Sequence, residues 1–124
     1  MANYELYLPD DVTAISSPAA TPQPVYASWQ SAIIGKFASG KARTSAYRVV
    51  EWRFDRLSAA EYQTLVQNRP DDGLITFKTF VQAHGGTAGA WVKASGYMDP
   101  ILSGTEHEGE YFGVFLRFSR VVQV

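Results

Sequence analysis

No cysteine occurs among the 124 residues. That excludes a disulfide scaffold, a zinc ribbon, an iron–sulfur centre and thiol catalysis. Neither sign of charge is in excess: 11 Lys and Arg face 12 Asp and Glu, for a formal net charge of −1. Proteins whose main task is gripping phosphates carry a clear basic excess, so no specific nucleic-acid partner is expected. No apolar run approaches the ~20 residues that span a bilayer, and no membrane partner is expected. Met1-Ala2-Asn3-Tyr4-Glu5 has no basic region leading into an apolar stretch, so no signal peptide is expected. Histidine is scarce, with only His84 and His107.

What is present is a globular composition, 46% hydrophobic and 14% aromatic, which favours a packed core over a disordered chain. A chain of this length buries roughly two-thirds of its unfolded surface. One domain over residues 1–124 therefore suffices. Strand patterns dominate. Tyr4–Leu8 alternates until Pro9 stops it. Tyr47-Arg48-Val49-Val50-Glu51-Trp52-Arg53-Phe54-Asp55 sends Val50, Trp52 and Phe54 to one face and Glu51, Arg53 and Asp55 to the other. Val25–Ile34, Leu74–Val81, Trp91–Met98 and Tyr111–Val122 are further strands. In the last of these, Phe112, Val114, Leu116 and Phe118 are expected on the core face. Ser103–Gly109 reads as a polar loop and His84–Gly89 as a flexible connection.

One helix is signalled. Ser58-Ala59-Ala60-Glu61 is a capping box, with Leu57 before the cap and Tyr62 placed for a hydrophobic staple. Tyr62, Leu65 and Val66 form its expected apolar stripe. Asn68-Arg69-Pro70-Asp71-Asp72-Gly73 ends it. The sum is a mainly β fold, an antiparallel β-sandwich or partly closed barrel with one short flanking α-helix. Two extensions stand out. Residues 9–24 hold four of the six prolines and read as an extended arm. Residues 35–44 read as a hairpin arm. Both have little apolar material to bury against their own domain and are expected at contacts with other subunits.

No catalytic, cofactor-binding or metal-binding residues emerge. Gly35-Lys36-Phe37-Ala38-Ser39-Gly40-Lys41 has phosphate-loop spacing. Ala42 then stands where a magnesium-binding Ser or Thr is required, and a strand follows where a helix is required. It reads as a glycine-flanked hairpin tip. Glu106-His107-Glu108-Gly109-Glu110 groups possible ligands within one short stretch, whereas a transition-metal site draws on several elements. It reads as a solvated acidic loop. No nucleophile–base–orienter set is visible, so no enzymatic activity and no cofactor are expected.

Charge is segregated along the chain. Residues 1–35 carry Glu5, Asp10 and Asp11 and no Lys or Arg. Residues 36–56 carry Lys36, Lys41, Arg43, Arg48, Arg53 and Arg56 against Glu51 and Asp55, and residues 99–110 carry only acids. Separated patches of opposite sign suit head-to-tail contacts between identical subunits. Lys36, Lys41 and Arg43 of one copy are expected to approach carboxylates of the next, with Asp10 and Asp11 as candidates.

The order of elements resembles that of small tail proteins of long-tailed bacteriophages, the distal-tail and tail-tube-fold family. There, as in Tyr47–Phe54 and Leu57–Leu65 here, a Trp/Phe-rich strand runs into a Leu-Ser/Thr-x-x-Glu helix. A strand after a Gly turn follows, here Gly73–Phe77, and the chain closes on a long strand, here Tyr111–Phe118. The resemblance covers roughly residues 36–124. It implies a virion structural protein, assembled in the host cytoplasm, that forms a homo-oligomeric ring around the tail channel. A hexamer is expected, with other tail proteins as neighbours and no catalytic residues. The chain has no room for the second, galectin-like domain of larger distal-tail proteins. The competing reading is a monomeric β-sandwich module that binds a carbohydrate or peptide through Trp29, Trp91 or exposed tyrosines.

Overall fold

The computed structural model describes residues 3–36, 38–82, 89–101 and 104–124, with the side chains of 31–36 and 42–46 outside the description. Seven strands and one helix follow in order: β1 (Glu5–Leu6), β2 (Tyr26–Lys36), β3 (Ala42–Ser58), α1 (Ala59–Gln67), β4 (Leu74–Val81), β5 (Ala90–Met98), β6 (Thr105–His107) and β7 (Glu110–Gln123). The fold is mainly β, as expected. All pairings are antiparallel, in one sheet of order β1-β4-β5-β7-β3-β2, with β6 paired to the start of β7. The sheet curls enough to bring β2 near β4 but does not close into a barrel. The expected connection over His84–Gly89 lies outside the described residues except at Gly89.

The core follows from the alternation. Val50, Trp52 and Phe54 of β3, Phe77 of β4, and Val114, Leu116 and Phe118 of β7 are buried. Phe77 stacks on Phe118 with centroids 4.1 Å apart, and Trp52 meets both rings edge-on. The Trp52 indole N–H donates to Thr79 Oγ1 at 3.0 Å, tying β3 to β4 across the curl. That bond gives the buried indole the polar partner it needs.

Two expected core positions are wrong. Phe112 is 38% exposed, because strict alternation fails at Gly113. Gly113 has φ +69, a conformation that glycine adopts without strain. From Val114 the inward position therefore moves to Tyr111 and skips Phe112. β3 makes the same slip, with Leu57 inward three residues after Phe54, and Leu57 pairs with Tyr111. Tyr62 of α1 then stacks on Tyr111 at 3.8 Å. The second misplaced residue is Val66, which is exposed while Thr64 and Leu65 are buried. The helix presents Thr64 rather than Val66 because Thr64 holds the proline-rich segment. Its hydroxyl accepts the Ala19 N–H at 2.9 Å and lies within donating range of the Ala19 and Ala60 carbonyls.

A bulge near the end of β7 serves the core as well. Register against both β3 and β5 shifts by one residue at Ser119–Arg120, and Arg120 sits at φ 52. The extra residue returns Val121 to the buried face after Phe118. Gly96 on β5 makes the space: a Cβ there would lie 2.7 Å from Val121 Cγ2.

The helix start is as the sequence predicts. Ser58 Oγ accepts the Glu61 N–H at 3.2 Å, and Glu61 Oε1 accepts the Ser58 N–H at 3.0 Å. Ser58→Ala should destabilise the fold by about 0.5–2 kcal/mol, read from urea denaturation midpoints at unchanged slope. A loss below ~0.3 kcal/mol would mean the reciprocal cap contributes nothing.

Residues 9–24 do not project. The chain turns back at Asp10–Thr13, pairs Ala14 with Tyr7, and donates the Ile15 N–H to the Leu6 carbonyl. Ile15, Thr21 and Pro22 are buried. Thr21 Oγ1 accepts the Leu6 N–H, and Gln23 Oε1 accepts the Tyr4 N–H. The expectation that this arm has little to bury on its own domain is therefore overturned. It closes the β1 edge of the sheet. The physical reason is spacing: single apolar residues at Ile15 and Pro22, joined by side-chain acceptors, cover an edge without forming a periodic pattern.

Candidate functional site

The longest strand separates the charges. Ladder pairs Gly35–Arg43 and Lys36–Ala42 put Lys36, Lys41 and Arg43 at the free end of the β2–β3 hairpin. Lys41 is exposed, and the side chains of Lys36 and Arg43 lie outside the described residues. The pair Ser58–Glu110 puts the β6–β7 hairpin, with Glu106, Glu108 and Glu110, at the other end of β3. β3 has 17 residues, a contour of roughly 55 Å at ~3.3 Å per residue. The β6–β7 turn is tight: Glu108 and Gly109 both have positive φ, as a two-residue hairpin loop requires. Glu106 Oε1 accepts the Gly109 N–H at 2.9 Å, and Glu110 lies 3.5 Å from Arg56 Nε. The polar loop expected over Ser103–Gly109 thus contains a strand, β6; Ser103 itself lies outside the described residues.

Asp10 and Asp11 are engaged within their own chain. Asp10 accepts the Val12 and Thr13 N–H groups at 2.9 and 2.8 Å and the Thr13 hydroxyl at 2.6 Å. Those bonds, the Thr13 hydroxyl first, hold its carboxyl below the ordinary carboxylate range. Asp11 Oδ1 accepts the Thr76 hydroxyl at 2.8 Å, and its carbonyl accepts a bond from Lys93 Nζ. Asp10 closes the turn on itself, and Asp11 fastens the turn onto β4 and β5.

The Tyr7 phenol beside this turn has its pKa pushed up to about 12, mainly by burial and then by the hydrogen bond and negative charge of Glu5. A raised pKa means the folded state favours the protonated phenol. The stability this contributes is fully present below pH ~10 and is lost as pH rises toward 12. Burial raises the Tyr4 phenol as well, so an alkaline tyrosinate titration should show a late-titrating fraction whose most alkaline part Tyr7→Phe removes. Tyr7→Phe should also flatten the fall in stability over that window. An unchanged titration curve in the variant would contradict the assignment.

Among the described residues, no group of three or more acidic or histidine side chains is placed to hold a metal; His84 lies outside them. The phosphate-loop-like run leads from β2 into β3, with no helix after it. No described helix is long and apolar enough to cross a membrane. Trp29 packs against the core, and the Trp91 ring meets Tyr4 at 4.8 Å and Phe80 at 5.3 Å. Among the described residues, β2 has a hydrogen-bonded neighbour, β3, on one side only. Its residues carry no charge before Lys36, whereas exposed edges are usually guarded by charge or proline.

No protein-family model, curated protein or solved structure matches the chain.

Proposed function

We propose that the chain is a virion structural protein of a long-tailed bacteriophage, forming a homo-oligomeric ring in the tail, at the tip or associated with the tube. The observation that carries this reading is the placement of a basic hairpin end and an acidic hairpin at opposite ends of β3. A subunit with such polarity is complementary to a second copy set head to tail, and head-to-tail contacts that close make rings. The element order described above supplies the tail assignment. Glu106 and Glu108, exposed on the acidic hairpin at the other end of β3, are the acids that a head-to-tail contact brings to Lys36, Lys41 and Arg43 of the next copy. Exposed charge pairs contribute only about 0–1 kcal/mol each. Backbone pairing along the one-sided β2 edge and apolar contact carry the association, while charge sets its direction. Hexameric closure and contacts with other tail proteins follow from the same reading.

Negative-stain imaging and solution mass of the purified chain test it. Rings or short tubes are expected. Lys41→Glu with Arg43→Glu should make them assemble poorly while leaving the far-ultraviolet circular dichroism and the melting temperature unchanged. A monomer at high concentration in every condition would overturn the reading and favour the monomeric carbohydrate- or peptide-binding module.

A further inference from the structure

The outer face of β3 and β7 holds a concavity of about 480 Å3, apart from the two charged hairpins. Its size is that of a small-molecule site, and its shape has a local cause. The β3–β7 register sets Phe54 opposite Val114 and Arg56 opposite Phe112, so Asp55 stands opposite Gly113. Gly113 brings no side chain to the sheet, and a Cβ built there would meet no atom within 4 Å. The surface therefore dips to bare backbone beside Asp55. The next outward residue of β7 is Phe115, which lines the same dip and is 44% exposed.

The charged groups around the dip are ordered and only partly used. Arg53 is opposite Phe115, and Tyr26 of β2 is opposite Arg53. The Arg53 guanidinium is fixed twice. Its Nε donates to Glu51 Oε1 at 2.7 Å, and its carbon lies 5.6 Å from the centre of the Tyr26 ring. Glu51, not Asp55, is thus its partner. Asp55 stands two residues further along β3, ~7 Å away at ~3.3 Å per residue. Among the described residues, the terminal nitrogens of Arg53 donate to nothing and the Asp55 carboxylate accepts nothing. Both side chains are exposed. A fixed donor and an unused acceptor therefore border one aromatic ring and one patch of bare backbone.

This set selects a ligand by its chemistry. Two acids, Glu51 and Asp55, against one base repel a phosphate or an acidic sugar. Arg53 in the same rim repels an ammonium or a guanidinium. An uncharged molecule fits, provided that it carries hydroxyl groups and one flat apolar side. A pyranose has this form: its hydroxyls radiate around the ring, and its C–H groups make an apolar face. That face packs on an aromatic ring, while Arg53 donates to hydroxyl oxygens and Asp55 accepts hydroxyl protons. Hydrogen bonds to charged groups are the stronger kind, and an arginine already immobilised loses less freedom on binding. We propose that the concavity at Gly113 binds a neutral saccharide, with Phe115 as the stacking platform and Arg53 and Asp55 as the hydrogen-bonding pair. The absent side chain at Gly113 leaves the room for the sugar. The site is complete within one chain and does not depend on ring formation.

Saturation-transfer NMR on the full chain, with lactose, cellobiose, maltose and N,N′-diacetylchitobiose as probes, tests this. The method reads small ligands on a monomer and on a large ring alike, so failure to bind and failure to form rings are separate results. At least one of the four is expected to receive saturation, most strongly at the C–H protons of one pyranose face. Glucuronic acid and trilysine should receive none. Phe115→Ala should weaken binding at least tenfold and Asp55→Ala several-fold, both with the melting temperature kept. Gly113→Asn puts a side chain into the room and keeps the left-handed backbone, which Asn tolerates better than most residues; it should abolish binding. No saturation of any of the four sugars at tens of millimolar would overturn the proposal. So would binding that Phe115→Ala and Gly113→Asn both leave unchanged. Saturation of trilysine without that of any sugar would also overturn it, and would make the concavity a site for a basic peptide.

Discussion

Trp52→Ala is expected to destabilise the folded chain by about 3–5 kcal/mol, an appreciable part of the 5–15 kcal/mol that holds a typical domain. Trp52 is fully buried, touches Phe77 and Phe118 edge-on, and donates its indole N–H to Thr79. The substitution removes the largest fully buried side chain from the point where the curled sheet packs on itself, and it strands the Thr79 hydroxyl. Two controls separate these losses. Trp52→Phe keeps much of the ring volume but not the donor, so it should cost less than Trp52→Ala and more than a plain volume-conserving exchange. Thr79→Val removes the acceptor and leaves a buried N–H without a partner, at about 1–3 kcal/mol. Urea denaturation of the three variants gives the series directly. If Trp52→Ala cost under ~1 kcal/mol, β3 and β4 would not share one core.

The same residues show how far a sequence can be read. Alternation across Tyr47–Asp55 and the Ser58–Glu61 spacing are local, and local patterns carry the strand, the cap and the helix start. Phe112 and Val66 are placed wrongly because their environment is decided elsewhere. A glycine at positive φ shifts the inward phase of β7, and a threonine on α1 is taken up by a segment 45 residues earlier. β6 escapes notice because three exposed residues have no periodic signal, and Glu108-Gly109 is not among the commonest two-residue hairpin turns. Lys36, Lys41 and Arg43 are legible as a basic cluster from their spacing. Asp10 and Asp11 look like free acids in the sequence and prove to be turn fasteners, since their partners include Thr76, which is 65 residues away from Asp11.

Deleting residues 9–24 should unfold the protein rather than merely impair its assembly. This segment lies on the chain's own sheet and helix, so its loss is felt in the core. Ile15 leaves a buried site, which removes about 1.5–3 kcal/mol of transfer free energy. The Leu6 N–H loses Thr21 Oγ1, the Leu6 carbonyl loses the Ile15 N–H, and Thr64 loses Ala19. Each buried polar group left without a partner costs about 1–3 kcal/mol where water cannot reach it. Added to Ile15, these losses are comparable with the whole stability of a domain this size. Two point variants grade the effect without cutting the chain. Ile15→Ala should cost about 2–5 kcal/mol. Thr64→Val, which keeps the shape of the side chain and removes its hydroxyl, should cost about 1–3 kcal/mol. Because β1 is only two residues long, the deletion should also open the β1 edge, and hydrogen exchange at Leu6 and Phe77 should accelerate even in Ile15→Ala. A deletion variant that kept a sharp unfolding transition within ~1 kcal/mol of the parent would show that residues 9–24 lie outside the cooperative unit. They would then be free to serve a neighbouring subunit.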